Sequence, residues 1–229
     1  DYLFKGSVPV AVFRSAWSDP NALFLGIKAG YNQVNHGQLD LGNFELDALG
    51  VRWVRDLGSD DYNLPGYWDR KPGGKRWQYF RMRSLSHSVP LLNSKDQRED
   101  AVAYIADFQT GDAPGVSIDL TEAYPQASAV TRRAELVEGR TAARITDHFV
   151  VAEPVNLIWA VVTDAEITVD GSQAVLTQDG KRLIATVESP EGARFSVESA
   201  EQSPPEKVNK GVTRLLVALP GVKGEVEVC

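Results

Sequence analysis

Three histidines, a few well-placed acids and one basic, aromatic strip carry the chemistry open to this chain. His36, Gln38 and Asp40 fall in Asn35-His36-Gly37-Gln38-Leu39-Asp40-Leu41-Gly42-Asn43-Phe44, where polar and apolar residues roughly alternate. On an extended backbone, side chains two and four residues apart share a face. The spacing therefore predicts a small polar cluster on one side of a strand. Asp56 closes the run Gly50-Val51-Arg52-Trp53-Val54-Arg55-Asp56-Leu57-Gly58, where a carboxylate can reach a sheet end, and His87 opens a predicted strand over 86–92. Together Gln38, Asp56 and His87 offer a carbonyl oxygen, a carboxylate and an imidazole, a mixed set that suits zinc or a harder divalent ion such as calcium. Taken singly, each residue also has an ordinary structural reading. A histidine in a β domain is commonly a hydrogen-bonded structural residue, and an acid before glycine commonly caps a turn. His148 has no partner motif and reads as structural.

The basic strip runs from Asp69 to Arg83, with six basic residues against one acid in a chain of net charge −7. Trp77 and Tyr79 lie beside Lys75 and Arg76, and aromatic rings with cations between them can stack on sugar faces and neutralise carboxylates or sulfates. Lys75 and Arg76 are thus the candidate substrate-binding pair. The competing reading is a solvated hairpin whose rings cover the core.

Behind these residues the chain reads as strands from end to end. Short β-branched and aromatic runs recur between Gly, Pro, Asn and Asp. Strands are predicted over 8–16, 22–29, 51–56, 102–108, 116–120, 127–137, 141–150, 155–162, 182–187, 193–199, 213–219 and 225–228. Asp170-Gly171, Asp179-Gly180 and Glu191-Gly192 punctuate the second half as turns between antiparallel strands. The 229 residues suffice for one large all-β unit. No linker divides them, and the expected architecture is one antiparallel β-sandwich over 1–229, with an irregular functional first half, a plainer structural second half and an exposed loop over 202–209.

Net charge −7 and a pI near 5.1 argue against nucleic acid as a partner. No apolar run approaches the roughly 20 residues of a membrane-spanning helix. The single cysteine, Cys229, excludes an intrachain disulfide, and Met82 as the only methionine predicts a natural start upstream.

The motif at Asn35–Phe44, the Gly50–Gly58 segment with Asp56, and Arg81–Asn93 with His87 together resemble the C-terminal β domain of the heparinase II/III-like polysaccharide lyases. The lead-in Phe13-Arg14-Ser15-Ala16-Trp17 and Lys28-Ala29-Gly30 are similar too. The resemblance implies an α/α toroid preceding the sandwich and absent here, β-elimination on a uronate-containing acidic polysaccharide, and a periplasmic or secreted location. It places His36 at a catalytic histidine, and Gln38, Asp56 and His87 at a structural metal site. One common pattern of the family has histidine where this chain has Gln38, so zinc loses a preferred ligand. A tyrosine from the helical domain usually completes the family's site, so the chain alone is expected to be inactive. Two other classes stay open: a non-catalytic module that binds acidic carbohydrate through Lys75, Arg76 and Trp77, and a purely structural β domain.

Overall fold

The computed structural model describes residues 1–229. The alternating runs become β1 (Tyr2–Phe4), β2 (Val10–Arg14), β3 (Phe24–Lys28), β4 (Gly30–Tyr31), β5 (Phe44–Ala48), β6 (Val51–Val54), β7 (Leu91–Leu92) and β8 (Val102–Gln109). They continue as β9 (Gly115–Asp119), β10 (Ala129–Val137), β11 (Ala142–Thr163), β12 (Glu166–Asp170), β13 (Gln173–Gln178), β14 (Lys181–Thr186), β15 (Phe195–Ser199) and β16 (Thr213–Val228). Every pairing is antiparallel. One sheet runs β1-β2-β3-β5-β6, and a larger one runs β15-β16-β11-β10-β9-β8-β4 with β7 on β11. A small sheet, β12-β13-β14, completes the antiparallel β-sandwich. No helix is long and apolar enough to cross a membrane.

Alternation decides which faces meet. Strands β2 and β3 bury every second residue, so Ala11, Phe13, Leu25 and Ile27 point into a 36-residue core shared with Val116, Ile118 and Phe149 of the larger sheet. Full burial of such side chains contributes about 1.5–3 kcal/mol each. Trp53 is fully buried there and satisfies its indole N–H on the Ala48 carbonyl at 3.0 Å.

Strands β1, β4, β5, β12 and β13 form outside the predicted runs, and two pairs of predicted strands fuse. The runs at 141–150 and 155–162 are a single 22-residue strand, β11, and those at 213–219 and 225–228 are a single strand, β16. Proline cannot donate to a ladder. Pro154 is accommodated by shifts of register between Val151 and Val155 and between Val155 and Leu157, so β11 bends and continues. The Asp179-Gly180 turn joins β13 to β14 as expected. Gln178 pairs with Lys181, and both turn residues have positive φ, 51° and 70°, as a two-residue type I′ hairpin requires.

Between β6 and β8 the chain is mostly irregular, with short 3₁₀ turns at Lys75–Gln78, Phe80–Met82 and Ser84–Ser86. A second, smaller core of Leu39, Leu64, Tyr67, Trp77, Tyr79 and Met82 fastens this segment to the Asn35–Asn43 loop. The rings of the basic strip are mostly spent on this packing.

Candidate active site and metal cluster

The Asn35–Asn43 segment is not a strand. Gly37 N–H donates to Val34 O at 2.8 Å, closing a turn in which His36 has φ +61°. The expected alternation fails because Leu39, Asp40 and Leu41 are all buried, whereas His36 is exposed. His36 and Asp40 therefore serve different places. His87 likewise does not open a strand: it follows the 3₁₀ turn at Ser84–Ser86, and only Leu91–Leu92 pairs as β7.

The structure does bring Asp56 and His87 together. Asp56, just beyond β6, accepts from Gly58 N–H at 2.6 Å and from Asn43 Nδ2 at 2.9 Å, and lies 2.9 Å from His87 Nδ1. Burial alone would raise the Asp56 pKa, but the charge and hydrogen bond of His87, the Gly58 N–H and nearby Lys28 hold it well below the usual carboxylate range. For His87, burial favours the neutral ring, and the Asp56 charge and hydrogen bond overcome it, raising the pKa.

Asp40 is the third member. Its carboxylate pairs with Lys28 Nζ at 2.6 Å, and ligand atoms of Asp40, Asp56 and His87 all lie within 4.8 Å of one another. The Nε2 of His87 is buried and has no hydrogen-bond partner. Two carboxylates and an imidazole whose ligand atoms lie this close together form a donor set that fits a divalent ion. Gln38 reaches the same neighbourhood: its Nε2 donates to Gly58 O at 3.0 Å, in the turn that Asp56 caps.

Several residues that hold this cluster carry no motif. Arg132 of β10 and Asp147 of β11 face each other across the ladder and form a fully buried two-bond pair at 2.8 and 2.6 Å. The remaining Arg132 nitrogen donates to Gly42 O and Ser88 O, both at 2.7 Å, so one guanidinium ties the loop after Asp40 to the residue after His87. Buried Gln97 accepts from Leu41 N–H at 2.9 Å and donates to Leu41 O at 2.8 Å. A charged residue at a core-facing position of a strand, as at Arg132, was the available signal.

His36 is the centre of a separate, accessible group. Its ring lies 5.3 Å from Trp68 and 5.8 Å from Tyr62, with Nδ1 3.5 Å from the Tyr62 hydroxyl. Tyr62 and Trp68 are each 47% exposed. Beyond Tyr62 runs an open groove of about 600 Å³, walled by Ser59, Asp60 and Asp61 on one side and Glu206 and Lys207 on the other. The groove thus has walls from both halves of the chain. The 202–209 loop is mostly exposed as expected, with Ser203, Pro204, Pro205, Lys207 and Val208 at the surface, and is anchored by Lys207 N–H donating to Asp60 Oδ1 at 3.0 Å and by buried Asn209.

Lys75 is exposed, donating to Gln78 Oε1 at 3.1 Å. The expectation that Arg76 contacts a glycan does not fit its burial. It is 1% exposed, and its Nε, Nη1 and Nη2 are bonded to the Gly37 and Tyr67 carbonyls.

A sandwich with an exposed histidine turn and a buried carboxylate–imidazole cluster on its irregular segments defines a site-bearing β domain. Residues 11–225 match the family described as Heparinase II/III-like, C-terminal, and the chain belongs to that family. Among solved structures it is similar to a heparinase III described as the BT4657 gene product, with a TM-score of 0.77 and 20% identity over 100% of this chain and 35% of that one. It is similar as well to heparan sulfate lyase HepC from Pedobacter heparinus, with a TM-score of 0.76 and 19% identity over 95% of this chain and 33% of that one. A further heparinase III gives a TM-score of 0.73 at 13% identity, covering 97% of this chain and 35% of that one. The chain thus spans about a third of the length of these structures. Among curated protein sequences none matches it.

Proposed function

We propose that this chain is the β-sandwich domain of a polysaccharide lyase that cleaves uronate-containing acidic polysaccharides by β-elimination, working outside the cytoplasm with a helical domain that completes the site. The observation that carries the reading is His36. In a chain of this family, it is an exposed imidazole held in a left-handed turn beside two exposed aromatic rings.

The reaction requires removal of a weakly acidic C5 proton next to a uronate carboxylate. Neutralising that carboxylate lowers the barrier, a base takes the proton, the C4–C5 double bond forms, and the C4–O bond breaks with its electrons leaving on oxygen, which is then protonated. His36 serves as the base or as the group that neutralises the carboxylate, since an imidazole can either accept a proton or donate one in a hydrogen bond. Lys75 lies on the exposed side of the basic strip, where it can meet substrate anions.

Asp40, Asp56 and His87, with Gln38 beside them, are the residues that would hold a divalent ion. Its part would be structural, cross-linking the loop that carries His36 to the segments after β6 and before β7. Expression with the upstream sequence, with the unsaturated uronate product followed by absorbance, tests the reading. The wild-type protein is expected to cleave an acidic polysaccharide and His36→Ala to lose roughly 10²–10⁴-fold in kcat. Undiminished cleavage by His36→Ala would remove His36 from the mechanism.

A further inference from the structure

Arg76 is a buried cation whose hydrogen-bond acceptors are backbone carbonyls rather than a carboxylate. Burial of an unneutralised guanidinium is unfavourable, so its acceptors need explaining. Nε and Nη2 both donate to Gly37 O, at 3.1 and 2.7 Å, and Nη1 donates to Tyr67 O at 3.0 Å. The guanidinium also lies 4.6 Å from the Tyr67 ring and 5.8 Å from the Trp68 ring. Gly37 directly follows His36, and Trp68 is one of the two rings flanking the His36 imidazole. One side chain therefore holds both the backbone beyond His36 and a wall of its surroundings.

His36 needs such support. Its φ of +61° lies in the left-handed region that a residue with a Cβ rarely adopts. The turn has little slack, since a Cβ at Gly37 would stand 2.1 Å from Asn32 O. Neighbouring carbonyls of the same loop are held from the same segment: Arg70 Nη1 donates to Val34 O at 3.2 Å and Ser84 Oγ to Leu39 O at 2.7 Å. Arg76 is distinguished by placing two donors on one carbonyl, which the planar guanidinium fork permits and a lysine ammonium does not reproduce.

We propose that Arg76 is a positioning residue: its two bonds to Gly37 O fix the left-handed turn that presents the His36 imidazole, and it makes no contact with the glycan. This rests on His36 acting in the lyase reaction. A displacement of about 1 Å at a reacting group can cost on the order of 10²-fold in rate, which sets the size of the effect.

The test compares wild type, Arg76→Lys and His36→Ala in the full-length protein on an acidic uronate polysaccharide, with thermal melts of each. Arg76→Lys keeps the charge and loses the fork. It is expected to lower kcat by about 10²-fold while KM stays within about twofold, and to alter the tautomer populations of the His36 ring seen by ¹⁵N NMR. Should Arg76→Lys fail to fold, Arg76→Gln, which buries no charge, replaces it with the same expectation. A folded Arg76 variant with wild-type kcat, or with a raised KM alone, overturns the positioning role while an inactive His36→Ala leaves the lyase reading standing. An active His36→Ala protein removes the premise and the proposal with it.

Discussion

His87 is bonded to Asp56 through one ring nitrogen and left without a partner at the other: Nδ1 lies 2.9 Å from the carboxylate, whereas the buried Nε2 meets no acceptor. The pair links two segments 31 residues apart in sequence. Its strength depends on the protons at both ends.

Asp56 is held below its ordinary value of 3.8, so its contribution to stability is present above that value and is lost as pH falls through the lower folded one. His87 is held above 6.5, so its contribution is complete below 6.5 and is lost as pH rises through the higher folded one. The pair stabilises most between about pH 4 and 6.5. A double-mutant cycle with Asp56→Asn and His87→Gln is expected to give a coupling of roughly 1–3 kcal/mol at pH 5.5 that shrinks at pH 9. Denaturant unfolding at the two pH values measures it; equal couplings at both would contradict a charged pair.

A divalent ion would need a ring nitrogen of His87 unprotonated, so binding is expected to release a proton below the raised His87 pKa and to weaken as pH falls. At an ion concentration 100-fold above Kd the folded state gains about 2.7 kcal/mol. For a chain of this size that corresponds to a Tm rise of roughly 5–10 °C. Thermal melts with zinc or calcium, and with chelator, read this out. His87→Gln should abolish the rise. Unchanged melting with either ion would leave Asp40, Asp56 and His87 as a purely ionic cluster built around Lys28.

Arg132 and Asp147 make the deepest ion pair in the molecule, with both side chains fully buried. Arg132→Met leaves a buried carboxylate without its partner and is expected to destabilise by about 3–5 kcal/mol. In many proteins an apolar pair restores such a loss. Here the double variant Arg132→Met/Asp147→Leu should recover only part of it, because the Gly42 and Ser88 carbonyls and the Trp159 indole N–H all lose partners. Each buried polar group left unmet costs about 1–3 kcal/mol. Urea unfolding of the single and double variants provides the comparison.

The strand-rich sandwich was legible because alternation and turn residues act locally. Asp179-Gly180 forms the hairpin its residue types predict, and β2 and β3 bury the face their pattern marks. The Asn35–Asn43 loop departs from the alternation of its sequence for a physical reason: three consecutive residues, Leu39, Asp40 and Leu41, are buried, which no strand facing solvent on one side allows. The approach of Asp56 to His87 was anticipated as a ligand set, yet the ion pair from Lys28 to Asp40 depends on loop closure that spacing does not reveal. Arg76 shows the same limit. A basic strip reads as a surface, and only the packing of Tyr67, Trp77 and Tyr79 beneath it sends one of its cations inward.

That leaves Lys75 as the cation of the Lys75–Arg76 pair able to meet a polyanion from solvent. Its Nζ stands 5.3 Å from the Tyr79 ring and 3.1 Å from Gln78 Oε1, so it is lightly tethered and carries no buried ion pair. Lys75→Ala should therefore leave the fold intact, with Tm changed by no more than about 1–2 °C, as for a surface substitution. Its effect on the reaction should be electrostatic: a severalfold rise in KM for an acidic polysaccharide at low salt, with kcat unchanged, that fades as ionic strength approaches about 0.5 M and exposed charges are screened. Steady-state kinetics across a salt series measure both. A loss of kcat, or a KM defect indifferent to salt, would show that Lys75 does something other than attract the substrate's charge.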